Sequence, residues 1–273
     1  MSGFEHNDKG MKTRLALLAM IALLAPALMA DPVPVRHLEG RIQGFLVLRD
    51  LNDNLLASGG ITQLAEGNRV TIELSFRFKD GSIYSETTVF SQLRAFQLLS
   101  YRVVQKGRTF KRGMDMSLNA TTGQVIVHYT DDGKEKTITD RLKLPADLAN
   151  GIVSTLLSDI DPKTPKTNLS MLVATPKPRL VKLVISPVGE DTFFIGGSAA
   201  KATRYAVKIA IGGISGVVAP MVGKQPPDMQ VWMVGGKAPG FLKSEGQLYE
   251  GGPVWRIELA SPIWPKGDSG QKR

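Results

Sequence analysis

A nucleophilic triad needs a histidine, and past residue 30 this chain has only His37 and His128. No Gly-x-Ser-x-Gly elbow accompanies either. His128 sits in an alternating stretch, on the polar parity opposite Val125, Val127 and Tyr129, which reads as an exposed strand histidine. A histidine metal site needs two or more close together, and that spacing is absent. The chain has no cysteine, which removes thiolate metal ligands and thiol nucleophiles. Carboxylates occur in pairs at Asp131/Asp132, Asp159/Asp161 and Glu190/Asp191, all at turns or element ends, where these residues serve the backbone. A glycosidase pair drawn from distant carboxylates is the one hydrolytic arrangement the composition leaves open. The glycine cluster Gly212–Gly216 lacks the Lys-Ser/Thr of a phosphate loop and does not follow Gly-x-Gly-x-x-Gly. The expectation is a protein without catalytic groups, metal or cofactor.

Basic residues are the other polar signal. Arg102, Lys106, Arg108, Lys111 and Arg112 crowd around Gly107, and Lys177, Arg179 and Lys182 form a second group. Folded onto one rim, the first group would attract anionic headgroups. The formal charge of the whole chain is +9. Residues 1–30 hold three Lys or Arg and two Asp or Glu, so +8 remains without them. Such a balance favours phospholipid headgroups, lipopolysaccharide or acidic polymers as partners, or simply keeps the protein soluble.

The N-terminus directs that choice. Lys12 and Arg14 precede an apolar run, Leu15–Leu24, and then Ala25-Pro26-Ala27-Leu28-Met29-Ala30. A basic start, a short apolar middle and a small-residue exit make a secretory signal peptide, with Met11 as the true start and cleavage after Ala27 or Ala30. Leu15–Ala30 is 16 residues, short of the roughly 20 of a spanning helix. Cleavage would leave no integral membrane anchor, and without a cysteine no lipid anchor either. Export to the periplasm or outside makes nucleic acid an improbable partner. An exported chain without disulfides must be held by its core, which this length allows.

The elements come next. In Arg69–Lys79 every even position is apolar and every odd one polar, which puts Val70, Ile72, Leu74, Phe76 and Phe78 on one face of a strand. Asp80-Gly81 supplies a tight turn, and Ser82–Phe90 returns, rich in β-branched and aromatic residues. Strands are also expected at Arg41–Arg49, Leu55–Leu64 and Phe96–Val104, and around Met114–Leu118 and Val125–Tyr129. Asp131-Asp132-Gly133-Lys134 then turns into Glu135–Leu142. One helix is predicted over Pro145–Ile160, from the four-residue repeat Leu148, Ile152, Leu156, Ile160 and a proline at its start. Asp161-Pro162 ends it, and Pro162–Asn168 reads as a loop or linker. Further strands follow at Leu169–Ala174, Arg179–Ser186, Thr192–Ile195, Arg204–Ile211, Gln230–Val234, Gly246–Tyr249 and Val254–Leu259, around a long loop at 212–228. Trp255, Ile257 and Leu259 share one parity and read as core. The polar tail 265–273 is expected to fray. The organisation predicted is a single β-rich domain, 31–264, or two halves joined near 161–168.

In the C-terminal third, Arg204-Tyr205-Ala206-Val207-Lys208 precedes a glycine-rich loop and Val231-Trp232-Met233. Then come Ala238-Pro239, Lys243-Ser244-Glu245-Gly246 and Arg256-Ile257-Glu258-Leu259. This series resembles exported bacterial β-sheet proteins of unknown function, which are distantly similar to the lipoprotein-carrier fold. The resemblance implies a curved open antiparallel sheet closed by a few helices around an apolar cavity. The whole reading is a mainly β protein, one curved antiparallel sheet or partial barrel with one or two helices on its concave face. The leading function is a non-enzymatic, exported binding protein for an apolar or amphiphilic ligand. Val70, Ile72, Leu74, Phe76, Phe78, Leu148, Ile152 and Leu156 would hold the apolar part, and Arg102, Lys106, Arg108, Lys111 and Arg112 would meet the headgroup. The alternatives are a structural or interaction module of the cell envelope that recruits a partner protein, and an envelope hydrolase using distant carboxylates.

Overall fold

The computed structural model describes residues 32–195, 198–210, 226–236 and 239–260. The expected signal peptide, most of the loop 212–228, Trp264 and the tail 265–273 lie outside the described residues. A first meander contains β1 (Ile42–Arg49), β2 (Leu55–Glu66), β3 (Arg69–Phe78), β4 (Ile83–Gln92), β5 (Phe96–Lys106), β6 (Met114–Asn119), β7 (Gln124–Asp131) and β8 (Lys134–Arg141). A second contains β9 (Thr167–Val173), β10 (Arg179–Ile195), β11 (Ser198–Ala210), β12 (Met229–Val234), β13 (Gly240–Gln247) and β14 (Val254–Ala260). Within each meander every strand pairs antiparallel with its sequence neighbour, and β1 pairs with β14. The result is one curved antiparallel sheet of 14 strands that does not close, with β8 and β9 at its two edges.

Local chemistry explains the hairpins. Along β3 the apolar parity is buried, apart from half-buried Leu74, while the polar parity is mostly exposed. Gly81 takes a φ of +84° at the turn, and Asp80 accepts from the Ser82 N–H and hydroxyl. Asp132 and Gly133 both have positive φ, the geometry a two-residue hairpin turn requires. Edge strand β8 reads Lys-Glu-Lys-Thr-Ile-Thr-Asp-Arg and is almost wholly exposed. Its charges discourage another chain from pairing there.

The helix is shorter than its repeat predicts. Helix α1 spans Val153–Asp159 and lies against β12 and β13. The preceding residues serve the other sheet edge instead. The Ala149 N–H donates to Ser170 O, and the Ser170 N–H to Asp147 O, at 2.8 and 3.1 Å. The Asn150 amide exchanges two 2.8 Å bonds with the backbone of Leu172, acting as one more residue of strand beside β9. Gly151 then turns with φ +69°, so close to β4 that a Cβ would meet Thr88 Oγ1 at 2.0 Å. Leu148 and Ile152 keep their buried positions without belonging to the helix.

Two other boundaries differ from expectation. Arg179–Ile195 is one strand of 17 residues, with a register shift between Pro187 and Gly189 where proline offers no N–H. Strand β13 begins at Gly240: Lys243 and Glu245 stand opposite Glu258 and Arg256 of β14, and Glu245 ion-pairs with both Lys243 and Arg256. The N-terminal segment is tied down rather than loose. Val33 O accepts from the Phe96 N–H, and the buried Asp159 carboxylate takes the N–H groups of Arg36 and His37 at 2.5 and 2.7 Å.

The buried apolar residues form two clusters. One joins Val70, Ile72, Phe90 and Phe96 to α1 and to Leu183, Tyr205 and Val231 of the second meander. The other joins Phe76, Phe78, Tyr84 and Met116 to Leu148, Leu172 and Trp255. Of the C-terminal set expected in the core, Trp255 is buried, Ile257 is partly buried and Leu259 remains 48% exposed.

A candidate binding row inside the sheet

The register sets three inner rows side by side across β1–β4. Leu46, Gly59, Phe76 and Tyr84 are successive partners in one, and Gln63, Ile72 and Thr88 in another, continuing to Tyr101 on β5. The side chains of both flanking rows are buried. Between them runs Gly44–Ile61–Leu74–Glu86, and in this row Ile61, Leu74 and Glu86 are only half-buried. Burial is complete again one strand further on, at Val103. Gly44 contributes no side chain, and Leu259 lies beside it at the end of the row, still exposed. Ile61 packs against both core clusters, so this row marks the seam between them.

A carboxyl group ends the row. The hydroxyls of Tyr84 and Tyr101 both donate to Oε1 of Glu86, the second at 2.7 Å. No described residue donates to Oε2. Burial pushes the Glu86 carboxyl above the ordinary glutamate range, against the two tyrosine hydrogen bonds, which favour the ionised form. Burial first, and then the Glu86 charge, push Tyr84 and Tyr101 well above the usual tyrosine value, so both remain donors. The arrangement can hold an apolar body along Ile61 and Leu74 and meet a polar atom at Glu86. Sequence reasoning named Leu74 but passed over Ile61 and Glu86. The signal was legible, because Glu86 shares the inward parity of Tyr84, Thr88 and Phe90 in an otherwise apolar or hydroxyl-bearing strand face.

The expected ligand residues divide between the two cores. Val70, Ile72, Ile152 and Leu156 meet in one cluster, and Phe76, Phe78 and Leu148 belong to the other. All seven are buried, and Leu74 alone of the expected set lies in the open row. Leu148 also lines an open depression of about 250 Å³ together with Leu98, Ala120 and Leu144. A larger groove of about 370 Å³ over the same strands is lined by Phe45, Thr62, Glu73 and Thr87 of the opposite parity and also by Ile61, Leu74 and Glu86 of the row itself.

The basic group is not brought to the inner row. Arg102 and Lys106 point outward from β5, and Arg102 makes two bonds to Asp115, at 2.9 and 2.7 Å. Arg108, Lys111 and Arg112 are exposed between β5 and β6. Arg112 reaches Asp131 at 3.1 Å and lies over the Tyr129 ring. In the second group, Arg179 pairs with Glu250, and Lys182 with Ser170 and Asp147. His128 is exposed and bonds Thr137 on β8. Each carboxylate pair holds local structure: Asp131 binds Lys136 and Arg112, Asp159 the N-terminal segment, and Asp191 the indole N–H of Trp232 at 2.6 Å. Among the described residues no group of three or more His, Asp or Glu is placed to hold a metal ion. No helix among them is long and apolar enough to cross a membrane.

No protein-family model matches this chain, and no curated protein matches it. Among solved structures it is similar to a β-barrel-like protein of a domain of unknown function from Brucella abortus. That match is at 11% identity, over 86% of this chain and 100% of that one, with a TM-score of 0.42. The neighbour is a bacterial β-sheet protein of unknown function, and the likeness to lipoprotein carriers rests on the sequence resemblance alone.

Proposed function

We propose that this is an exported, non-enzymatic protein of the bacterial cell envelope that binds an amphiphilic, lipid-like ligand inside its curved sheet. The observation that carries the reading is the half-buried row Ile61–Leu74–Glu86 between two fully buried rows. Apolar surface inside a sheet is normally covered by its own side chains, and an uncovered apolar row with one polar group is the usual form of a small-molecule site. The apolar part lies along Ile61 and Leu74, between the two cores, rather than displacing the packed contacts of Phe76 or Leu156. The basic start and short apolar run of residues 12–30 support the location.

Native mass spectrometry of the protein purified from a bacterial periplasm without detergent tests this, followed by organic extraction. The expected result is a discrete added mass that extracts as an amphiphile and is lost in Leu74→Arg, with the circular dichroism unchanged. A clean unliganded mass that stays unchanged after incubation with phospholipid vesicles would overturn the proposal. It would turn the search to a protein partner.

A further inference from the structure

We infer that Glu86, held by Tyr84 and Tyr101, anchors the ligand's head and selects heads that donate a hydrogen bond, hydroxyl or ammonium, over anionic ones. This rests on the amphiphile reading above. Both tyrosine hydroxyls converge on Oε1, which fixes the carboxyl plane and leaves Oε2 as an acceptor without a donor. The two fully buried carboxylates differ. Asp159 takes two backbone N–H groups on Oδ1 and Asp147 faces Lys182 at 3.4 Å with Oδ2, and each keeps its second oxygen buried without a partner. Those bonds fasten segments together, whereas Glu86 is tied only to hydroxyls and keeps partial exposure on the open row.

On this half-buried residue Oε2 is an acceptor with no protein donor, and a ligand hydroxyl or ammonium can fill it with a charge-assisted hydrogen bond. An anionic head in the same place would meet the carboxylate at short range in a poorly screened interior. A site built around a buried polar group discriminates strongly against ligands that leave it unpaired. The long-range field of this basic chain draws anions towards it. A preference for donor heads would therefore come from the row itself.

The experiment is displacement of a bound apolar fluorophore, N-phenylnaphthylamine, by decanol, decylamine and decanoate at neutral pH. The wild-type protein is expected to bind the alcohol or the amine about 10- to 100-fold more tightly than the acid, the range of one hydrogen bond to a charged group. The two donor arms tell a neutral head from a cationic one. Glu86→Gln should erase most of the amine's advantage with the circular dichroism retained, each displacement being read against that variant's own fluorophore affinity. Tyr101→Phe, which leaves the carboxyl in place, should narrow the gap without erasing it. Equal binding of all three compounds by the wild type, or an undiminished gap in Glu86→Gln, overturns the inference and leaves the amphiphile reading standing. Failure of the wild type to take up the fluorophore or any decyl compound overturns both.

Discussion

Replacing Gly151 with alanine tests how the segment before α1 is seated against the sheet. The perturbation has two parts that can be measured separately. Gly151 has φ +69°, which an alanine adopts at a cost of about 1–2 kcal/mol. Its Cβ would also stand 2.0 Å from Thr88 Oγ1 and 3.2 Å from Thr88 Cγ2, so either β4 or the segment must move. Overpacking of a tight contact costs about 1–3 kcal/mol. The sum, about 2–5 kcal/mol, should lower the thermal midpoint by on the order of 10 °C at this chain length. The assay is denaturant unfolding of the wild type, Gly151→Ala, Thr88→Ala and the double variant. Thr88→Ala removes both γ atoms and leaves a Cβ at 3.1 Å, a contact that small shifts relieve. The double variant should therefore recover the steric share, with a coupling of about 1–3 kcal/mol, and retain the conformational share. A Gly151→Ala stability within about 0.5 kcal/mol of wild type, or strict additivity in the cycle, would refute the close approach.

Two further outcomes follow from buried polar groups. Asn150→Ala leaves the N–H and carbonyl of Leu172 without partners at a 1% exposed site, and should cost about 2–5 kcal/mol in denaturant unfolding. The Glu86 carboxyl is raised in the folded state, so folding favours its protonated form. That contribution is complete below the ordinary glutamate value of 4.5 and is lost as pH rises through the higher folded value. Glu86→Gln keeps an acceptor for both tyrosines and cannot ionise. Its stability relative to wild type should therefore increase from acid to neutral pH, and a difference independent of pH in thermal unfolding would contradict the assignment.

The sheet was legible wherever one face is wet. The alternation of β3, the Asp-Gly turn after it and the Asp-Asp-Gly turn before β8 fix strand, register and direction by local chemistry alone. The segment 145–152 was not legible, because its apolar residues repeat every four positions for a reason other than helix. Leu148 and Ile152 point into the core from a bridge and a turn, and periodicity cannot separate that from two helical turns. Gly151 was the readable warning, since glycine inside a helix costs about 1 kcal/mol and often marks a positive φ. The joining of β1 to β14 was not readable at all. It pairs residues about 210 positions apart, and nothing in either strand names its partner.

The candidate site lies where the sequence breaks its own pattern. In β4 the inward parity reads Tyr84, Glu86, Thr88, Phe90, and a carboxylate there opposes the burial that the other positions serve. Such a conflict is stable only if neighbouring groups compensate it, and Tyr84 and Tyr101 supply two hydroxyls for that purpose. A purely structural solution would place a leucine at position 86 and close the row against Leu74 and Val103. The chain instead leaves the row open, omits a side chain at Gly44 and keeps one carboxyl oxygen without a donor. Local violations of an otherwise consistent design concentrate at functional sites. Here Gly44 and Glu86 break the pattern at the two ends of one register row whose middle, Ile61 and Leu74, is left half-buried, which argues for a site rather than for an isolated misfit.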